Sequence, residues 1–216
     1  KRRSDDFTRL WRQQNAIDEA VKTTRQLFAS VVAGLTSAHP DSVRDLLRAP
    51  RRCTRGLERP LIDGLIAGTD NHADNALTWL LRHRYRLELG DGHDELRWDP
   101  AVRLIRRFAP LCSTGVYQAV EAAILRYHHS SERSSLERQL ERLMAGYAGP
   151  SGWGRGQLHL LSALPPARLS PAAAQRLATW LSKFGDPSTD MPSGKLGFGQ
   201  VRSPLPSGPE LHQLPD

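Results

Sequence analysis

At 216 residues the chain is long enough to bury a substantial core, yet only 39% of it is hydrophobic and its mean hydropathy is −0.49. It has no apolar run of about 18 residues, which excludes a helical membrane span, and its two cysteines are too few for a disulfide framework. The net charge of +7 brings in nucleic acid as a candidate partner, but the excess is local: residues 1–60 hold 13 Lys or Arg against 7 Asp or Glu, residues 61–150 hold 11 against 12, and the remainder 6 against 4.

The predicted elements are helices separated by breakers. His39-Pro40, Asp99-Pro100 and Ser170-Pro171 each put proline at a first helical position, where its missing N–H costs nothing. Residues 5–35 predict one long helix or two nearly collinear ones, with Phe7, Leu10, Trp11, Ile17, Val21, Phe28, Val31, Val32 and Leu35 mostly on one inward stripe. A short helix follows Pro40, with Val43, Leu46 and Leu47 inward, and stops at Ala49-Pro50. Thr54 caps the next, which carries Leu57, Leu61, Leu65 and Ile66 and ends near Gly68. Asp70 caps another, whose inner face is Ala73, Ala76, Leu77, Leu80 and Leu81.

Residues 85–98 differ. Tyr85, Leu87 and Leu89 alternate before Gly90-Asp91-Gly92, and Leu96 and Trp98 follow. Two readings fit: a small β-hairpin, or an ordered loop that carries Trp98 into the core. Helices resume at Asp99-Pro100 (Val102, Leu104, Ile105, Phe108), at Ser113 (Val116, Tyr117, Val120, Ile124, Leu125) and over 132–147 (Leu136, Leu140, Leu143, Met144). After Gly149-Pro150-Ser151-Gly152 come a short helix over Leu158–Leu164 and a last one capped by Ser170 and stopped by Gly185. Residues 1–184 therefore read as a helical-repeat domain, and 185–216, rich in Pro, Gly and Ser, as an extended connector or tail. The fold class is all-α, an irregular HEAT-like solenoid, with a compact orthogonal bundle as its rival. The 34-residue tetratricopeptide pattern and the ankyrin TPLH signature are both absent.

No motif specifies a reaction. His72 with Asp74, His93 with Asp94, and His128 and His129 with Glu132 are the only candidate metal pairs, and no HExxH or CxxC supports them. His72 reads as part of a solvated first turn, and the 128–129 pair as the cationic end of a helix. Gly152-Trp153-Gly154-Arg155-Gly156 lacks the GK[ST] ending of a phosphate loop and reads as a turn anchored by Trp153. Glu121 lies beside an apolar helix face, where Arg86, Arg103 or Arg106 can pair with it. Cys53 and Cys112 read as buried free thiols, implying a reducing, cytoplasmic setting. No catalytic residue, cofactor or metal is assigned. The candidate partner-binding surface comprises Arg51, Arg52, Arg55, Arg59, Arg84 and Arg86, on the expectation that these are exposed. Only four of the 30 basic residues are Lys, an Arg bias that GC-rich coding produces without selection for phosphate contacts.

The segments Tyr85-Arg86-Leu87-Glu88-Leu89-Gly90-Asp91-Gly92, Trp98-Asp99-Pro100-Ala101-Val102-Arg103-Leu104-Ile105 and Val120-Glu121-Ala122-Ala123-Ile124-Leu125-Arg126-Tyr127-His128, with Cys112-Ser113, Gln157-Leu158-His159-Leu160-Leu161 and Ser203-Pro204-Leu205-Pro206, resemble the helical-repeat region of large bacterial ATP-binding proteins of the STAND class. The resemblance covers roughly 54–216. It implies a sensor or scaffold arm of a larger machine, used in defence against phage, whose NTPase core lies elsewhere. The chain begins with Lys, consistent with a piece of a longer protein. The expected function is thus recognition of a protein partner or of other domains of the parent chain, with no membrane contact. The alternative is a nucleic-acid-binding module that uses the basic front, which has no interleaved aromatics for base stacking.

Overall fold

The computed structural model describes residues 2–49, 55–91, 95–129 and 154–190, with side chains from Asn15 onward and excluding Arg55. The described residues are all-helical and contain no strand. Eight α-helices span Arg2–Ala38 (α1), Pro40–Arg48 (α2), Arg55–Ala67 (α3), Ala73–Leu81 (α4), Asp99–Phe108 (α5), Thr114–Leu125 (α6), Arg155–Leu161 (α7) and Pro171–Phe184 (α8). The predicted helix over 132–147, the Thr54 cap, Cys53, Trp153 and the tail from 191 lie outside the described residues.

The helices pack in two rows. α3 lies between α1 and α5, and α5 also meets α7. α4 lies between α2 and α6, and α6 also meets α8. Consecutive pairs α1–α2 and α7–α8 pack on each other, as do α4–α5 and α6–α7, so the rows share one apolar seam. Leu61, Ile62, Leu65, Leu77, Leu80, Leu104, Ile105, Phe108, Val120, Ile124, Leu158 and Leu161 are fully buried along it. Spacings of three and four residues bring these side chains to one face of each helix, which is why short helices of modest hydrophobicity still close a core.

Where α1 crosses α3 the backbones almost touch. A Cβ on Gly64 would sit 2.6 Å from the Ala29 carbonyl oxygen and 2.6 Å from the Val32 Cβ, so only glycine fits there. One turn on, Thr36 is fully buried and ties the end of α1 to the loop after α3. Its hydroxyl donates to the Ala33 carbonyl (2.7 Å) and accepts the Thr69 N–H (2.9 Å), while its carbonyl accepts from the Thr69 hydroxyl (3.1 Å).

Several expectations need correction. The stripe of α1 is only partly inward: Val32 is buried and Phe28 and Leu35 pack on the core, but Ile17, Val21 and Val31 are exposed. α1 has 37 residues, about 55 Å, against 13 residues, about 20 Å, in α3, so it outruns its neighbour. Leu46 and Leu57, expected inward, are also exposed. No hairpin forms among the described residues of 85–98. Arg84–Glu88 is a 3-10 turn in which the adjacent Arg86 and Leu87 are both buried, an arrangement that strict alternation forbids. The loop reading fits instead, because Trp98 is half-buried against the core. Ser170 caps α8 by accepting the Ala173 N–H at 3.2 Å. The Ser113 side chain makes no cap bond, and its backbone N–H instead donates to Asp74 Oδ1 at 2.7 Å.

Candidate functional site

The six arginines expected on one outward surface do not share it. Arg51 and Arg52 lie outside the described residues, and Arg55 begins α3 with its side chain undescribed. Arg59, half-buried, lies along Glu95, its Nε 3.0 Å from Oε1 without hydrogen-bond alignment, so the contact is Coulombic. Arg84 is exposed, with its guanidinium 5.6 Å from the Tyr127 ring centroid. Arg86 is buried and excluded from any outward surface. Its Nε donates to Glu58 Oε1 at 3.0 Å, its Nη1 donates to the Trp79 carbonyl at 2.6 Å, and its guanidinium lies 4.0 Å from the Trp79 ring centroid. Tyr85 also donates to Glu58 Oε1, at 2.7 Å, and burial first, then that hydrogen bond and the Glu58 charge, push its phenol up from the ordinary value.

A second polar chain joins the turn at 84–88 to α7, through residues that belong to no single sequence motif. Trp98 Nε1 donates to the Tyr127 hydroxyl at 2.8 Å, and that hydroxyl donates to Glu88 Oε1 at 2.7 Å. His129 is buried, with Nε2 3.1 Å from Glu88 Oε2 and 3.0 Å from Arg97 Nη1. Trp98 stacks on His159, with centroids 5.2 Å apart and planes 16° from parallel. His159 Nε2 lies 2.7 Å from Asp190 Oδ2, and Arg155 Nη2 donates to Asp190 Oδ1 at 2.8 Å. The aromatic spacing that brings Trp98, Tyr127 and His159 together spans loop, helix end and helix, so no local pattern marks it.

Beside this chain a cleft of about 540 Å³ opens between α5 and the end of α7. Asp99, Val102, Arg103 and Arg106 line it from α5, and His159, Ser162, Asp186 and Asp190 from the other side. Its charges largely satisfy one another. Arg103 Nη2 is 2.9 Å from Asp63 Oδ1, and Asp99 Oδ2 accepts the Leu96 N–H at 2.8 Å. Burial raises the Glu95 carboxyl above its ordinary value, against the pull of Arg59 and Arg103. Asp186 caps the Pro187–Thr189 turn by accepting the Ser188 N–H at 2.8 Å, which holds its carboxyl below the usual range. The His159–Asp190 pair, like His129–Glu88, has the form of a base and its orienting acid. Yet His159 is buried, its Nε2 faces Asp190, and its ring lies flat on Trp98, so the pair fastens residues 186–190 to α7.

Three further candidates, His72, Glu121 and Cys112, are buried, while His93, Asp94 and Glu132 lie outside the described residues. His72 is buried rather than solvated, with Nε2 3.4 Å from the Thr36 carbonyl. Glu121 Oε1 accepts the Ser170 N–H at 2.8 Å, while two of the arginines expected beside it, Arg86 and Arg103, pair with Glu58 and Asp63 instead. The Cys112 thiol is free and buried, and burial raises its pKa above the ordinary value against the pull of Arg168. Among the described residues no group of three or more His, Cys, Asp or Glu is placed to hold a metal ion, and no helix is long and apolar enough to cross a membrane.

Burial, then Arg84 and Arg176, lower the His128 pKa below 6.5. A depressed imidazole binds fewer protons folded than unfolded, so its contribution is present above pH 6.5 and is lost as pH falls from there through the folded value. His128→Gln is therefore expected to flatten the fall of folding stability between neutral and mildly acidic pH in denaturant titrations; an unchanged slope would show that His128 does not set it. No family model, curated protein or solved structure matches the chain.

Proposed function

We propose that the chain is a non-catalytic recognition and scaffold segment of a larger protein, the sensor arm of a bacterial STAND-type NTPase that acts in the cytoplasm in defence against phage. The observation that carries this reading is α1. Residues 15–27 are exposed without interruption, and Ile17, Val21, Leu27 and Val31 leave a row of apolar side chains uncovered. A long helix with an apolar face that no described residue covers is built for another macromolecule. The two rows of helices support the irregular solenoid form of the fold, because each pair rests on its neighbours in order and one seam runs through all of them.

The experiment is made in the parent protein. Val21→Glu with Leu27→Glu is expected to leave basal nucleotide hydrolysis intact and to abolish its stimulation by the infecting target. Stimulation that survives both substitutions rejects the reading. The basic front carries a second reading, since Arg48 is exposed there and the segment around it holds most of the excess charge. Binding of duplex or single strand that falls steeply from low to moderate salt would favour that reading over the first.

A further inference from the structure

The face of α1 left uncovered has a periodicity that specifies what can lie on it. Taken at 100° per residue, Ile17, Val21, Leu27 and Val31 fall within an arc of about 120°. Read in sevens, Gln14, Val21 and Phe28 share one seam position, and Ile17, Thr24 and Val31 the other. A 3.5-residue repeat in the half of α1 that α3 starts too late to flank fits a second helix better than an extended segment or an irregular surface. The need for cover is physical, because a helix standing alone in water over so short a length is marginal.

The flanks of the seam select the partner. Asp18 and Arg25 line one edge, and Ala20 and Leu27 the other. A parallel, in-register copy would set Arg25 against Ala20 and Asp18 against Gln13, with no charge pair gained. An antiparallel copy, with its two-fold axis between Lys22 and Thr23, sets Asp18 of each copy beside Arg25 of the other, twice over. The same register puts Ala20 beside Leu27, Val21 on Thr24 and Ile17 on the half-buried Phe28. Asp18 already has an interaction within its own chain, and its carboxylate would take Arg25 of the second copy as a further partner.

Building on the recognition reading above, we infer that the uncovered face of α1 pairs antiparallel with the same face of a second copy of this chain, and that Asp18 and Arg25 fix the register. The pairing is isologous and closes on itself, so it gives a dimer and not a filament. It converts a bare apolar stripe into a two-helix seam and leaves the cleft and the rest of the helical rows outward on both copies.

Analytical ultracentrifugation of the full chain is expected to give about twice its 24.1 kDa mass, and Val21→Glu to return it to 24.1 kDa with the thermal transition of the core unmoved. Arg25→Asp is expected to weaken association several-fold, and adding Asp18→Arg to the same chain to restore it, a rescue that general damage to the helix cannot produce. Under mild oxidation, a mixture of Gln14→Cys and Val31→Cys chains is expected to join position 14 of one copy to position 31 of the other, as mapped by mass spectrometry. A monomer at every attainable concentration, a dimer that survives Val21→Glu, a failed charge rescue, or links of 14 to 14 and 31 to 31 each overturn the pairing. A monomer whose parent protein still loses its triggered response on Val21→Glu removes the pairing while leaving the recognition reading in place.

Discussion

Glu58→Ala is expected to cost about 3–5 kcal/mol of folding stability, the range for removing one partner of a buried ion pair. Glu58 has no exposed surface and Arg86 only 3%. With the carboxylate gone, the Arg86 guanidinium keeps the Trp79 carbonyl and ring but has no counter-charge and no path to water. The Tyr85 hydroxyl loses its acceptor in the same step. The pair is not saturated even in the native chain, because Glu58 Oε2 has no hydrogen-bond partner. Exchanging both groups for apolar ones, Glu58→Met with Arg86→Met, is therefore expected to recover most of the loss, since the desolvation of both charges is removed together. Arg86→Lys in the otherwise native chain should also be costly, because an ammonium cannot donate in the planar fork that the Glu58 carboxylate and the Trp79 carbonyl receive. Equilibrium urea denaturation decides the matter. A cost for Glu58→Ala of under about 1 kcal/mol would mean that water reaches the pair, and the buried account would fail.

That ion pair also marks where sequence reading stopped. Helices at 40–48, 99–108, 114–125 and 171–184 were legible, because proline or serine at the start and apolar residues at three- and four-residue spacing act within one element. The turn at 84–88 was not legible. Tyr85, Leu87 and Leu89 alternate, but Arg86 between them is drawn inward by a glutamate 28 positions earlier in the chain, and no local pattern can announce that contact. The same holds for His72, which a residue 36 positions away buries, and for Glu121, whose acceptor role depends on Ser170. The inward stripe of α1 failed for the opposite reason. Its periodicity is genuine, but periodicity shows which residues share a face and not whether a neighbour is long enough to cover them. α3 runs parallel to α1 and starts too late to flank its N-terminal half, so Ile17 and Val21 are left bare. Composition locates charge but does not separate Arg84, which is outward, from Arg86 two positions on, which is the buried half of a pair.

Trp98→Ala is expected to cost about 3 kcal/mol, the lower end of the range for truncating a large aromatic, since Trp98 is only half-buried. The loss has separable parts. The ring supports His159 from one side, and its Nε1 donates to Tyr127, which in turn donates to Glu88. Trp98→Phe keeps much of the packing and removes the donor, so it should cost about 1 kcal/mol, the net worth of one hydrogen bond. Gly156→Ala attacks the same place from α7, where a Cβ would lie 2.6 Å from the Tyr127 ring and 2.8 Å from Trp98 Nε1. Neither ring can yield without breaking the Nε1–hydroxyl contact, so this single methyl is expected to cost about 1–3 kcal/mol by overpacking. The three variants together discriminate between packing and polar continuity as what binds α7 to the rest. If Trp98→Phe proves as damaging as Trp98→Ala, the hydrogen-bonded run from Trp98 to Glu88 dominates. If Gly156→Ala is harmless while Trp98→Ala is not, the close approach of α7 has slack, and the stack on His159 alone holds the junction. Because Asp190 is fastened to α7 through His159 and Arg155, Trp98→Ala should also hasten proteolysis near residues 186–190, through the loss of the surface on which His159 rests.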